Sequence, residues 1–187
     1  CFAPTNSSVK NLLKENIQRK RIFNCGDIMA DVFRIYKNKI DKNTKVLKKL
    51  NLKTKKYCVV TIHREENTDQ KKYLENILLA LTKTEKKIVF PIHPRTKSRI
   101  KKFKLEHYLN NLQTCDPLSY FDMMKLVKDA VLIITDSGGL QKEAYLNRVP
   151  CLTLRKSTEW IETLNTGWNL LSFPINHEKI VKDINRQ

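Results

Sequence analysis

Short apolar, β-branched runs recur along the chain, and most are followed by longer stretches in which apolar residues return every three or four positions. The runs RIFNC (21–25), YCVVTI (57–62), KIVFPI (87–92), NLQTC (111–115), AVLIIT (130–135) and PCLTL (150–154) read as strands. Between them, helices are predicted over Ile28 to Ile40, Thr68 to Thr84, Ser119 to Lys128, Gly139 to Asn147 and Thr158 to Thr166, with a short C-terminal helix from His177 to Asn185. AVLIIT is apolar on both faces, as a central strand covered on both sides must be. Leu74, Ile77, Leu78 and Leu81 form a single buried stripe on the second helix. This rhythm predicts an α/β fold with a parallel sheet wrapped by helices. No repeat or low-complexity segment interrupts it, so residues 1–187 read as one domain.

Charge adds a question rather than an answer. Lys and Arg number 36 against 19 acidic residues, a net charge of +17. That excess would suit nucleic acid, an anionic membrane surface or a phosphorylated small molecule. The lysines are spread over helix faces and loops without an accompanying aromatic stacking motif, zinc knuckle or helix-turn-helix signal, so a solvated surface is the favoured reading and no nucleic-acid partner is expected. Cys1, Cys25, Cys58, Cys115 and Cys151 are odd in number and show no C-x-x-C pairing, so neither a disulfide framework nor a metal site is expected. No run of eighteen apolar residues occurs, and a cytoplasmic protein without a membrane partner is expected. The opening, CFAPTNSSVKNLL, lacks a methionine and reads like the interior of a longer protein.

In an open α/β sheet, ligands bind beyond the carboxyl ends of the strands, so the informative residues follow each apolar run. In TIHREEN (61–67), His63 and Arg64 leave a strand end, and Asn67 or Thr68 is suited to cap the next helix. In PIHPR (91–95), His93 precedes a proline, which favours an extended backbone and is expected to keep a helix from starting there. After AVLIIT come Asp136, Ser137, Gly138 and Gly139, where a strand turns into a helix. The glycines let backbone approach a ligand, and the helix N-terminal N–H groups can reach phosphate. A tight turn explains the glycines equally well. Glu143 follows one turn later, where its carboxylate could accept from a ribose diol. Neither G-x-G-x-x-G nor G-K-[ST] is present. Near the end, Arg155 follows a strand, Ser157 or Thr158 could cap a helix, and Trp160 is unexplained.

Taken together, T-x-H-R-x-E-N, a following HP, D-P-L-x-Y, T-D-S-G-G-x-Q-x-E-A and L-R-x-x-T-E-W-x-E-x-x-x-x-G-x-N resemble, in order and spacing, the C-terminal half of the non-hydrolysing UDP-N-acetylglucosamine 2-epimerases. APTNSSVKNLLKENI resembles that family's mid-chain segment. The resemblance implies the nucleotide-binding half of a glycosyltransferase-B-like architecture, Rossmann-like, with helices on both faces of its sheet. It implies that Ser137, Gly138 and Gly139 hold the diphosphate, Glu143 the ribose hydroxyls, His63 the phosphates from the opposite side, and backbone around Phe121 to Met123 the uracil. Arg64 and His93 match positions associated in bacterial relatives with a second, regulatory UDP-sugar site, and Arg155 is a further candidate contact. Where many bacterial members carry arginines, this chain has Glu65 and Trp160; its T-E-W variant looks like archaeal members and relatives acting on modified UDP-sugars.

The implied reaction is epimerisation at C2 by elimination and re-addition of UDP, as an isomerase without a cofactor, serving polysaccharide precursor synthesis. UDP and a UDP-N-acetylhexosamine are the implied ligands, and a homodimer the implied state of the intact protein. The family's catalytic carboxylates lie in its other half, so no catalytic residue is assigned here. A hydrolysing epimerase or glycosyltransferase of the same fold is the enzyme alternative, and a basic nucleic-acid-binding module the alternative of another class.

Overall fold

A computed structural model describes residues 1–42 and 44–187. These divide into two compact units, Cys1–Asn38 and Lys39–Gln187.

The first unit pairs β1 (Phe2–Ala3) in parallel with β2 (Phe23–Asn24), around α1 (Asn6–Lys14), and ends in α2 (Ile28–Tyr36). RIFNC is thus a strand, but its partner is β1 rather than the main sheet, and β1 is too short to show in a hydrophobic pattern. Thr5 caps α1 through Ser8 N–H, and Asp27 caps α2 through Met29 N–H.

The second unit holds the remaining elements. In chain order these are α3 (Val46–Lys49), β3 (Cys58–Thr61), α4 (Glu65–Thr68), α5 (Lys71–Lys83), β4 (Ile88–Pro91), α6 (Pro94–Lys102), β5 (Gln113–Cys115), α7 (Tyr120–Asp129), β6 (Leu132–Thr135), α8 (Gly138–Leu146), β7 (Cys151–Thr153), α9 (Ile161–Asn165), β8 (Asn169–Leu171) and α10 (His177–Arg186). The six strands form one parallel sheet in the order β5-β4-β3-β6-β7-β8.

Strand residues alternate between two buried layers. Cys58, Val60, Phe90, Leu132, Ile134 and Leu152 face Leu74, Ile77, Leu78 and Leu81 of α5, Ile100 of α6 and Ile180 and Ile184 of α10. Val59, Val89, Ile133 and Cys151 face Met124, Leu126 and Val127 of α7 and Leu140 and Ala144 of α8. Burial pushes the Cys58 thiol up to about 11 and the Cys151 thiol up to about 12, so both pack as small apolar residues.

Several local expectations need correction. Pro94 does not delay a helix: it opens α6 at the first helical position, where its missing N–H costs no hydrogen bond, and extended His93 is the N-cap. Asn67 and Thr68 do not cap the long helix, since both lie buried inside α4 and α5 begins after Gln70. The helix expected from Thr158 starts only at Ile161, because Thr158 is engaged with α8, as described below. β8 was not visible as a strand, being three residues long at a sheet edge.

Candidate functional site

The strand order reverses between β3 and β6, the point in an open parallel sheet where a crevice opens at the carboxyl ends. Both strands end there in a threonine, and the Thr61 and Thr135 hydroxyls are 2.6 Å apart. Thr135 also accepts from Ser137 N–H at 2.9 Å, which sets the turn into α8.

Asp136, fully buried, organises the other wall. Its carboxylate accepts from the backbone N–H of His63 (3.1 Å) and Arg64 (3.0 Å) and from Asn67 Nδ2 (3.1 Å). His63 Nδ1 lies 3.4 Å from Asp136 Oδ1. Asn67 Nδ2 donates as well to Leu154 O at 3.0 Å, so one amide spans the exits of β3, β6 and β7. The His63 and His93 rings face each other at 5.5 Å, bringing together two strand ends far apart in sequence. His93 Nδ1 accepts from Arg95 N–H, which leaves its Nε2 as the donor of the neutral ring. Buried Thr96 of α6 donates to Ile62 O and fixes that helix against the exit of β3.

On the other wall, Ser137 caps α8 by accepting from Leu140 N–H, while its hydroxyl proton remains available to donate. Gly138 and Gly139 N–H lie in the first turn, where backbone donors have no intrahelical acceptor. Trp160 Nε1 donates to Gly138 O at 2.9 Å, and the Lys142 ammonium lies over the Trp160 ring at 4.1 Å. Glu143 is half-buried one turn along. Burial raises its carboxyl to about 7 despite the opposing charge of Lys142, and no side chain among the described residues hydrogen-bonds to it. Tyr120, at the start of α7, has its phenol pushed up by burial and by the nearby charge of Glu143, which places the α7 N-terminus beside that carboxyl. Met123 lies in the first turn of α7, its N–H donating to Ser119 O at 2.9 Å.

Arg155 turns its guanidinium to Glu159, whose other oxygen is 3.8 Å from Arg64. A buried polar network supports this segment: Thr158 donates to Gln141 Oε1 (2.6 Å), Asn169 Nδ2 to the same oxygen (3.2 Å) and to Thr163 (3.1 Å), and Thr153 to Asn169 Oδ1 (2.7 Å). Thus His63, Arg64, His93, Ser137, Gly138, Gly139 and Arg155 gather at the carboxyl ends of the strands, with Glu143 and Met123 on the helices flanking them. Among the described residues no cluster of His, Cys, Asp or Glu is suited to a metal ion, and no helix is long and apolar enough to cross a membrane.

The sequence model of the UDP-N-acetylglucosamine 2-epimerase family matches residues 1–187. The chain belongs to this family. A UDP-N-acetylglucosamine 2-epimerase homolog of Methanococcus maripaludis is 45% identical over 190 residues, covering 99% of the chain and 52% of that relative. The UDP-N-acetylglucosamine 2-epimerase of Methanocaldococcus jannaschii is 38% identical, covering 98% and 52%. The crystal structure of the Methanocaldococcus jannaschii enzyme in complex with UDP-GlcNAc and UDP superposes with a TM-score of 0.92 at 38% identity, over 99% of this chain and 53% of that one. The chain therefore spans about half the length of these relatives. The E. coli heptosyltransferase WaaC, at 11% identity and a TM-score of 0.56 over 80% of the chain and 47% of that structure, shares the fold alone. The fold is the Rossmann-like half of a glycosyltransferase-B-like architecture.

For this epimerase-family chain, three residues central to the site were not assigned from sequence. Asn67 read as a cap, Asp136 as part of a turn, and Glu159 as the start of a helix. A buried Asp directly after an apolar strand, with an Asn after a second strand end, was the available signal for the first two. Glu159 stands within the T-E-W motif, but nothing in that motif set it apart from an ordinary acidic residue in a helix's first turn.

Proposed function

We propose that this chain is the UDP-binding half of a UDP-N-acetylglucosamine 2-epimerase that interconverts UDP-GlcNAc and UDP-ManNAc, or a modified UDP-N-acetylhexosamine. The observation that carries this reading is the pairing, on one helix at the sheet's switch point, of a first turn at Ser137, Gly138 and Gly139, whose N–H groups lack intrahelical acceptors, with the half-buried carboxyl of Glu143. The spacing suits a nucleoside diphosphate: phosphate oxygens on the first-turn N–H groups and Ser137, ribose hydroxyls on Glu143 one turn deeper, and the base toward Phe121 to Met123 at the start of α7.

On this reading the chain serves the leaving group. Elimination breaks the bond between C1 and the diphosphate oxygen, and negative charge grows on UDP as it departs. The α8 N-terminus, the His63 imidazole and the guanidinium groups of Arg64 and Arg155 are fixed donors for that charge. His63 Nδ1 is turned to buried Asp136 at 3.4 Å, which orients the ring and leaves Nε2 as the nitrogen for the diphosphate. The same donors hold UDP while it adds back to C1 of the glycal, and C2 is inverted because a proton returns to C2 on the face opposite the one that lost it. The groups that move the C2 proton belong, on this reading, to the half of the longer relatives that this chain does not match, and the chain alone is expected to be inactive. A cytoplasmic location and a homodimeric intact enzyme accompany the proposal.

The test is calorimetric titration and thermal unfolding with UDP. A ligand at about 100 times its Kd adds roughly 2.7 kcal/mol to stability. Glu143→Gln should weaken UDP more than its 2′,3′-dideoxy analogue. Absence of any UDP-dependent rise in Tm at millimolar ligand would refute the site, and equal weakening of both ligands would refute the ribose role of Glu143.

A further inference from the structure

The Glu159 carboxylate lies against the start of α8. A Cβ built on Gly138 would meet Glu159 Oε1 at 2.1 Å, so this oxygen fills the space that the glycine leaves. Arg155 Nη1 donates to Oε2 at 2.7 Å, and Arg64 Nη2 is 3.8 Å from Oε1. The two arginines reach it from different strand ends, Arg64 after β3 and Arg155 after β7. An anion is therefore already held among the groups that the proposed diphosphate would need. Burial alone would raise the Glu159 carboxyl, but its own backbone N–H, Arg155 and Arg64 outweigh that and hold it below the usual glutamate range.

The neighbours of Glu159 are pinned, while its side chain is not. Thr158 is tied to Gln141 and Trp160 to Gly138 O, both on α8. The Glu159 side chain itself stays 42% exposed, and its polar partners are the two arginines and its own backbone N–H. It can rotate out without disturbing the segment that carries it.

We propose that Glu159 is a resident anion at the diphosphate position, displaced when ligand binds, and that it sets the charge a ligand must bring to occupy this site. The proposal rests on the UDP reading given above. A diphosphate offers more oxygens and more charge than one carboxylate, so the exchange favours it at both arginines and at the helix N-terminus. A ligand without phosphate offers the arginines nothing and leaves Glu159 in place. The carboxylate thus acts against weakly charged ligands and shields two clustered arginines from each other when the site is empty of ligand.

The experiment compares the full chain with Glu159→Gln, titrating UDP by calorimetry and uridine by ligand-observed NMR. Exposed ion pairs are individually weak, so UDP should bind the variant roughly three- to tenfold tighter, while uridine affinity is unchanged. UDP binding the variant equally or less tightly overturns the resident-anion role while leaving the UDP site standing. Equal tightening of uridine also overturns it, because the gain would then owe nothing to phosphate. Failure of the unaltered chain to bind UDP overturns both readings together.

Discussion

Glu143 should make the chain's stability depend on pH in a recognisable direction. Its folded-state value, raised by burial from the ordinary 4.5 to about 7, means the native state holds a proton that the unfolded chain has released across that window. Its contribution is therefore full below the lower value and lost as pH rises through the upper one. Glu143→Gln, which cannot ionise, should gain stability relative to the unaltered chain as pH is raised from about 4.5 to 8, measured by urea unfolding. A sugar-esterified diphosphate has no ionisation near neutrality, so UDP-GlcNAc can report the ligand side: ribose donors require the carboxylate, and affinity should fall as pH drops below about 7 in the unaltered chain but not in the variant. Asp136→Ala strips the acceptor from buried backbone and side-chain donors at His63, Arg64 and Asn67 and should cost about 2–4 kcal/mol in the same assay. Sequence patterning marked Asp136 as a strand-end residue but not as a hub, because its donors come from a segment more than sixty residues earlier in the chain.

Helix α8 combines two requirements at its first turn, a close approach by another group and a free set of N–H donors. The sequence left Gly138 open between ligand approach and a tight turn; in the structure the Glu159 side chain lies against it. Gly138→Ala would place a methyl where the Glu159 carboxylate rests. That carboxylate is the mobile end of a flexible side chain and can yield, and alanine favours the helix by up to about 1 kcal/mol. Thermal stability should therefore change little, while UDP affinity falls because the methyl narrows the approach to the first-turn donors. Among the elements, the long strands and amphipathic helices were legible from apolar period, since each is buried along a complete face. Elements that form through tertiary contact, such as β1, β8 and α4, carry too few residues for a period to be read. Residues 158–160 looked helical by composition, yet polar contacts to Gln141 and Gly138 take Thr158 and Trp160 outside the helix.

At the scale of the whole molecule, every residue assigned to the site and both hydrophobic layers belong to Lys39–Gln187. A chain beginning at Lys39 should therefore unfold in a single cooperative transition and bind UDP within about threefold of the full chain, since residues beyond the site's own unit contribute no proposed contact. The net charge of +17 should appear as nonspecific, steeply salt-dependent attraction to oligonucleotides, while UDP, held by a few positioned donors, responds more weakly to salt. Helices α5 and α10 pack on the same face of the sheet. α10 supplies Ile180 and Ile184 to the layer built on α5, and the segment before it is anchored there by Asn76 Nδ2 on Ile175 O at 2.7 Å and by Tyr73 against Phe173 at 4.9 Å. During synthesis the α5 stripe emerges about a hundred residues before this cover. At roughly 5–20 residues per second, it stays uncovered for seconds on the ribosome. Nascent chains stalled short of His177 should consequently be open to protease within α5 and bound by chaperones, and lengthening them through Ile184 should abolish both.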